Sequence, residues 1–293
     1  MNYLSFRISI LTLIPAIALC VFVYYKDKVE KEPVWLLSVL LGAGALVYYP
    51  AYLLEGLAMG IIDNAFASHI SFSAEGAASY SSGAIMVSHK LLLAFIGISL
   101  IEELIKWAVV YLITFRNKNF DCMFDGIVYY VFVSLGFVIA ESVRYAVSGG
   151  TFSAMMRSAA SLPAHMLFAI VAGFVYTVAK TYATAAKKEK AMINEGIISS
   201  RRIKAAPFLL VFSFVTPMMI HGIYSFTSLI DTREIKMAYF ITVIVMYATC
   251  FIITGVISKR DEKNTVIADA VLMRKHGIAF THTNGDASES DSN

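Results

Sequence analysis

The sequence predicts an all-α fold, a polytopic bundle of about seven transmembrane helices. Three observations carry that reading. Hydrophobic residues make up 58% of the 293-residue chain and charged residues only 15%, with a mean hydropathy of +0.68. Soluble domains sit near roughly 45–50% apolar and about 25% charged. The apolar residues fall in long unbroken runs that lack the alternation of barrel strands, and lysine and arginine gather on alternate connections between those runs.

The runs are taken in chain order. Residues 4–25 form a first span: the run is too long for a cleaved signal peptide, and Lys26 and Lys28 follow it directly. Spans two to seven are read at 34–54, 91–115, 123–147, 158–182, 206–230 and 237–257, each at or above the roughly 20 residues that cross a bilayer core. Seventeen of the 24 Lys and Arg residues lie after spans one, three and five and in the tail, while six lie on the opposite side and Lys106 is inside a span. The basic side is expected to be cytoplasmic, which puts the N-terminus outside and the C-terminus inside. Residues 1–258 then form one transmembrane domain, and 259–293 form a cytoplasmic tail. A short amphipathic helix is expected near 266–280, followed by a disordered end at 281–293. The connection 55–89 reads either as a surface lid or as a mobile loop.

Other classes are set aside by counting. The net charge is only +3, so no nucleic-acid partner is expected. Cys20, Cys122 and Cys250 are odd in number and scattered, which argues against a disulfide framework and a zinc–thiolate site.

Function is read from polar groups within the spans, where each ionisable group costs roughly 2.5–3.5 kcal/mol on insertion scales. Glu102 and Glu103 lie in the third span with Lys106, Glu141 in the fourth, His165 in the fifth and His221 in the sixth. Counted from the outer span ends, Glu103, Glu141, His165 and His221 lie about 18, 9, 11 and 14 Å deep. One Glu–Lys pair or one histidine is ordinary packing chemistry, but five such groups on four helices at similar depth describe a shared polar cavity. Glu102 and Lys106 share a helix face, and Glu103 points about 100° away. Phe137, Glu141 and Tyr145 form one stripe along the fourth span. Three carboxylates and one ammonium leave surplus negative charge, which protons or a divalent cation must compensate. Both solutions suit hydrolysis, by a carboxylate base beside a histidine or by a metal-activated water. No H-E-x-x-H spacing is present.

Taken in order along the chain, these residues resemble a known family. Tyr24-Tyr25-Lys26-Asp27-Lys28-Val29-Glu30-Lys31-Glu32-Pro33 looks like its opening "D…EKEP" segment, and Glu102-Glu103-Leu104-Ile105-Lys106 looks like its EExxK motif. Phe124-Asp125-Gly126 and the segment from Gly136 to Glu141 fit its FxxxE helix, and Pro163-Ala164-His165 and Ile220-His221-Gly222 fit its two histidine motifs. The chain thus resembles the PrsW family of membrane-embedded proteases, within the broader group that includes the CAAX prenyl proteases. Ser142 and Ser225 stand where that family often carries other polar residues.

The resemblance implies a peptidase of the bacterial cytoplasmic membrane. Its substrate would be a single-pass membrane protein such as an anti-sigma factor, cut near the outer face as the first step of regulated proteolysis. Glu103 or Glu102 would be the general base, paired with His221 or His165. Glu141 would orient the water or a ligand, Lys106 would compensate charge, and a divalent metal such as zinc is compatible with the donors. Two other classes stand beside this reading: an ion- or proton-coupled transporter, and an inactive relative that binds membrane proteins without cutting them.

Overall fold

Each apolar run folds as a helix in the computed structural model, which describes residues 3–73, 78–149, 151–230 and 233–277. The elements are α1 (Tyr3–Lys26), α2 (Val34–Phe66), β1 (Ile70–Phe72), β2 (Ala78–Tyr80), α3 (Gly83–Leu92), α4 (Leu100–Thr114), α5 (Asp125–Gly149), α6 (Thr151–Asn194), α7 (Ala206–Leu229), α8 (Arg233–Lys259) and α9 (Asn264–His276). A π-helical stretch, Leu93–Ser99, joins α3 and α4 into one rod. Local chemistry sets several ends. Pro33 precedes α2 and a proline occupies the first turn of α7, where a missing N–H costs nothing. Gly277, at φ +68°, closes α9 in the left-handed conformation.

Among the described residues, six helical stretches are long and apolar enough to cross a membrane. The seventh expected span, α1, has side chains described only from Leu13, where a shorter apolar stretch runs to Lys26. The protein is a multi-pass membrane protein. Leu46, Leu57, Ile61 and Ile244 face outward with more than 60% of their surface exposed, as lipid-facing side chains do.

At the centre stands α5. Every residue from Phe124 to Val138 is buried, and α6, α2 and α1 pack around them. Small residues permit this closeness: a Cβ at Gly136 would collide with the Leu41 carbonyl of α2, and one at Gly44 with the Val133 carbonyl of α5.

The expected spans needed three corrections. Span two does not stop at 54: α2 runs to Phe66, because the sequence stays apolar through Ile62. The connection 55–89 is correspondingly short of loop, with the β1–β2 hairpin and α3 filling its remainder. His89 anchors this region, lying 2.8 Å from Asp63 and 3.1 Å from the Tyr80 hydroxyl. Span five lengthens to the 44 residues of α6, since its alanine- and lysine-rich continuation stays helical beyond the apolar run. The amphipathic tail helix is α9, ending at His276 rather than 280, and it packs on α6 through Ala268 and Leu272. The expected disorder at 281–293 falls outside the described residues.

Helix ends and connections meet at one end of the bundle. There the Ser258 hydroxyl donates to the Lys26 carbonyl, and Cys122 forms an antiparallel bridge with Lys263. At the other end, the Lys90 ammonium donates to the Leu229 carbonyl over 2.5 Å.

Candidate active site

The polar groups singled out in the sequence converge. Glu102, Glu103 and Lys106 come from α4, Glu141 from α5, His165 from α6 and His221 from α7. All are buried except Glu141, which is partly exposed at 15% of its side chain. At the centre is the Lys106 ammonium. It donates to Glu103 Oε1 over 2.6 Å and to Glu102 Oε2 over 3.1 Å. His165 Nδ1 lies 3.1 Å from the same nitrogen; an ammonium only donates, so this ring nitrogen accepts. The expected Glu102–Lys106 pair is therefore present, but Glu103 makes the shorter contact despite pointing elsewhere on the helix. It still reaches a second neighbour: His221 Nδ1 donates to Glu103 Oε1 over 2.9 Å.

Aromatic rings wall the cluster. Phe168 stacks on His221 at 4.8 Å, the two histidine rings meet edge-on at 5.1 Å, and the Phe137 ring lies 4.7 Å below Lys106. These faces exclude water and strengthen the charged contacts inside them. Glu141 sits at the margin. Its Oε2 accepts from Ser161 Oγ over 3.1 Å and lies 4.0 Å from His165 Nε2.

Two backbone features hold this geometry. The π-helical stretch immediately precedes Glu102 and Glu103, with the Leu100 N–H bonded to the Phe95 carbonyl five residues back. Such turns recur at functional sites. Phe95 then packs directly on Gly222, where a Cβ would enter its ring, so the residue after His221 lets α7 approach closely.

All six residues expected from the sequence thus belong to one cluster. One member was not expected. Glu55, read as the start of a loop, lies inside α2, and its Oε1 is buried without a hydrogen-bond partner. It lies within electrostatic reach of Glu102, Glu141, Lys106 and Arg144. The signal was available: apolar residues Gly56 to Ile62 continue the helix past it. The two family departures, Ser142 and Ser225, are both buried.

The donor set also fits a metal. One ligand atom from each of Glu102, His165 and His221 lies within 4.8 Å of the other two, all three residues are buried, and two histidines with a glutamate form a familiar zinc set. The His221–Glu103 contact resembles the outer carboxylates that orient ligating histidines.

Known proteins resemble this chain over most of its length. Residues 32–253 match the family described as PrsW family intramembrane metalloprotease. Protease PrsW of Oceanobacillus iheyensis is 30% identical over 212 residues, covering 72% of this chain and 78% of that protein. Protease PrsW of Bacillus subtilis is 27% identical over 216 residues, covering 72% and 78%. Protease PrsW of Clostridioides difficile is 25% identical over 242 residues, covering 81% and 86%. No solved structure matches the chain. The matched region contains every residue of the cluster, and the chain belongs to the PrsW family of intramembrane proteases.

Proposed function

We propose that the cluster hydrolyses a peptide bond in a single-pass membrane protein of the anti-sigma-factor kind, near the outer membrane face. The observation that carries this reading is the convergence of Glu102, Glu103, Glu141, His165 and His221 from four helices around one buried ammonium. Orientation is argued from charge: the basic connections belong to the cytoplasm. Glu141 and His221 each lie eight residues from the opposite ends of their helices, about 12 Å along the axis.

Roles follow from hydrogen bonding. Glu102, His165 and His221 are the donors that would hold a divalent ion such as zinc. When bound, such an ion supplies Lewis acidity and a nucleophilic water at neutral pH. Glu103 already accepts from Lys106 and His221, so it orients the His221 ring and is a poor further proton acceptor. Glu141 carries one hydroxyl contact and reaches the margin of the cavity, which suits it to take the proton from the attacking water. Lys106 offsets charge on the carboxylates, its three donors taken by Glu102, Glu103 and His165. A mechanistic kinship with the CAAX prenyl proteases forms part of this proposal.

The test is cleavage of a tagged single-pass substrate in cells. The expected result is cleavage by the wild type, none by His221→Ala or Glu102→Gln, and restoration of chelator-inactivated purified enzyme by added zinc. Unchanged cleavage in both variants overturns the assignment. Activity that survives exhaustive chelation, with no metal found by elemental analysis, overturns the metal role alone.

A further inference from the structure

A second group of buried carboxylates lies at the opposite end of α5. Asp125 and Glu141 are sixteen residues apart, about 24 Å along the helix. The α1–α2 connection contributes Asp27 and Glu32, α5 begins with Asp125, and Asp261 follows α8. Asp27, Glu32 and Asp125 are 0%, 3% and 0% exposed.

Each of these carboxylates has one oxygen held by the protein. Asp27 Oδ2 accepts from the Glu32 N–H over 3.2 Å, and Glu32 Oε1 accepts from the Tyr129 hydroxyl over 2.8 Å. Asp125 Oδ2 accepts from the Asp121 and Cys122 N–H groups over 2.9 and 2.7 Å, and Asp261 Oδ1 accepts from the Phe124 N–H over 2.9 Å. The other oxygen of all four, Asp27 Oδ1, Glu32 Oε2, Asp125 Oδ1 and Asp261 Oδ2, is buried and has no hydrogen-bond partner. Buried carboxylate oxygens are ordinarily paired, because leaving one bare costs its full desolvation.

The groups also act on one another. Burial and the neighbouring Asp27, Asp121 and Glu30 push Glu32 to about 8, while burial and the Asp261 and Asp121 carboxylates push Asp27 to about 6. Glu32 and Asp27 are within electrostatic reach of Asp125. Of the nearby cations, Lys31 Nζ donates to the backbone carbonyls of Tyr24 and Asp27, Lys263 Nζ donates to Glu30 and lies 3.7 Å from Asp121, and Lys118 lines the cavity beside them. A cavity of about 320 Å³, lined by Glu32, Asp121, Asn119 and Lys118 among others, opens beside the group and offers an entry path.

We propose that Asp121 and Asp125, which each offer an oxygen within 4.8 Å of the other, bind a hard divalent cation, calcium or magnesium, with Asp27, Glu32 and Asp261 reaching it through water. The donors are oxygens, which select such ions. The nearby thiol of Cys122 is held neutral by burial and by the carboxylates around it, so it offers no thiolate to a soft metal. The cation ties together the α1–α2 connection, the start of α5 and the α8–α9 connection, which already meet there through the Cys122–Lys263 bridge and the Met123 N–H to Glu262 carbonyl bond.

The experiment uses the purified full chain in detergent and terbium(III) as probe, excited through tyrosine; Tyr129 is bonded to Glu32 and is the natural sensitiser. The expected result is saturable terbium luminescence that calcium or magnesium displaces, with affinity at least tenfold weaker in Glu32→Gln and in Asp27→Asn, and unchanged in His221→Ala. Calcium should also raise the thermal midpoint of the wild type and of His221→Ala, but not of Glu32→Gln. The two acidic-residue variants back each other if one fails to fold. Absence of saturable luminescence, or equal affinity in both variants, overturns the site and leaves protons as the compensating charge. Loss of the signal in His221→Ala alone would assign terbium to the cluster of α4, α6 and α7 and overturn it equally. Peptidase activity does not enter the readout, so this outcome is independent of the proposed function.

Discussion

Replacing Lys106 with methionine keeps the length of the side chain and removes only its charge and donors. In the wild type that nitrogen contacts Glu103 at 2.6 Å and both Glu102 and His165 at 3.1 Å, and the side chain is 1% exposed. Summing three charged hydrogen bonds at about 1.5–3 kcal/mol each would overstate the loss, because the ammonium also carried a desolvation cost. Removing one partner of a buried ionic group costs about 3–5 kcal/mol, chiefly from the carboxylates left uncompensated. For a chain of this size that corresponds to a fall in thermal midpoint of roughly 6–20 °C. The assay is thermal unfolding of purified protein in detergent, alongside Glu102→Gln/Glu103→Gln/Lys106→Met, in which every member of the network is neutral. The triple variant should recover most of the lost stability while remaining inactive in cleavage. If Lys106→Met melts within a degree of wild type, or if the triple variant is no more stable than the single one, the network is not the coupled ionic unit described above.

Three further outcomes follow from the same structure. Gly136→Ala places a methyl against the Leu41 carbonyl, a backbone atom that cannot swing aside; a loss of about 1–3 kcal/mol is expected by thermal unfolding. Glu141→Gln should lower cleavage by about 10²–10⁴ with little change in melting, since this carboxyl lies at the cavity margin; unchanged cleavage would exclude it as the base. The third concerns pH. Glu32 holds its proton to about 8 in the folded protein against 4.5 normally, so the folded state binds more protons than the unfolded one between these values. In cation-free buffer, stability should therefore fall as pH rises from about 5 to about 8, and Glu32→Gln should flatten that slope.

The sequence carried the helices and the site with different clarity. Long apolar runs located the spans, because lipid demands them and nothing else produces them. Run ends were less legible: α2 and α6 extend well past their apolar cores, and helix continuation there depends on packing and on alanine content rather than hydropathy. Glu102, Glu103, Lys106, Glu141, His165 and His221 stood out because a charge in a span needs a reason. Glu55 did not, since it fell beyond the expected end of a span and was counted as loop. The depth estimates agreed only within several ångströms, and what joins these groups is side-chain reach across touching helices. The particular partners, such as His221 on Glu103 rather than Glu102, depend on helix rotation, which the sequence does not print.

That rotation is altered in one place. Along Leu93–Ser99 the rod winds more slowly than an α-helix, so everything after Ser99 is turned relative to α3. Restoring ordinary winding at unchanged length would swing Glu102 and Glu103 by about 100°, away from His221 and toward lipid or a neighbouring helix. Composition and hydropathy would hardly change. The phase slip is thus a gear between two halves of one helix: the half near α3 keeps its seat beside α7 and the hairpin, while the other half aims the glutamates.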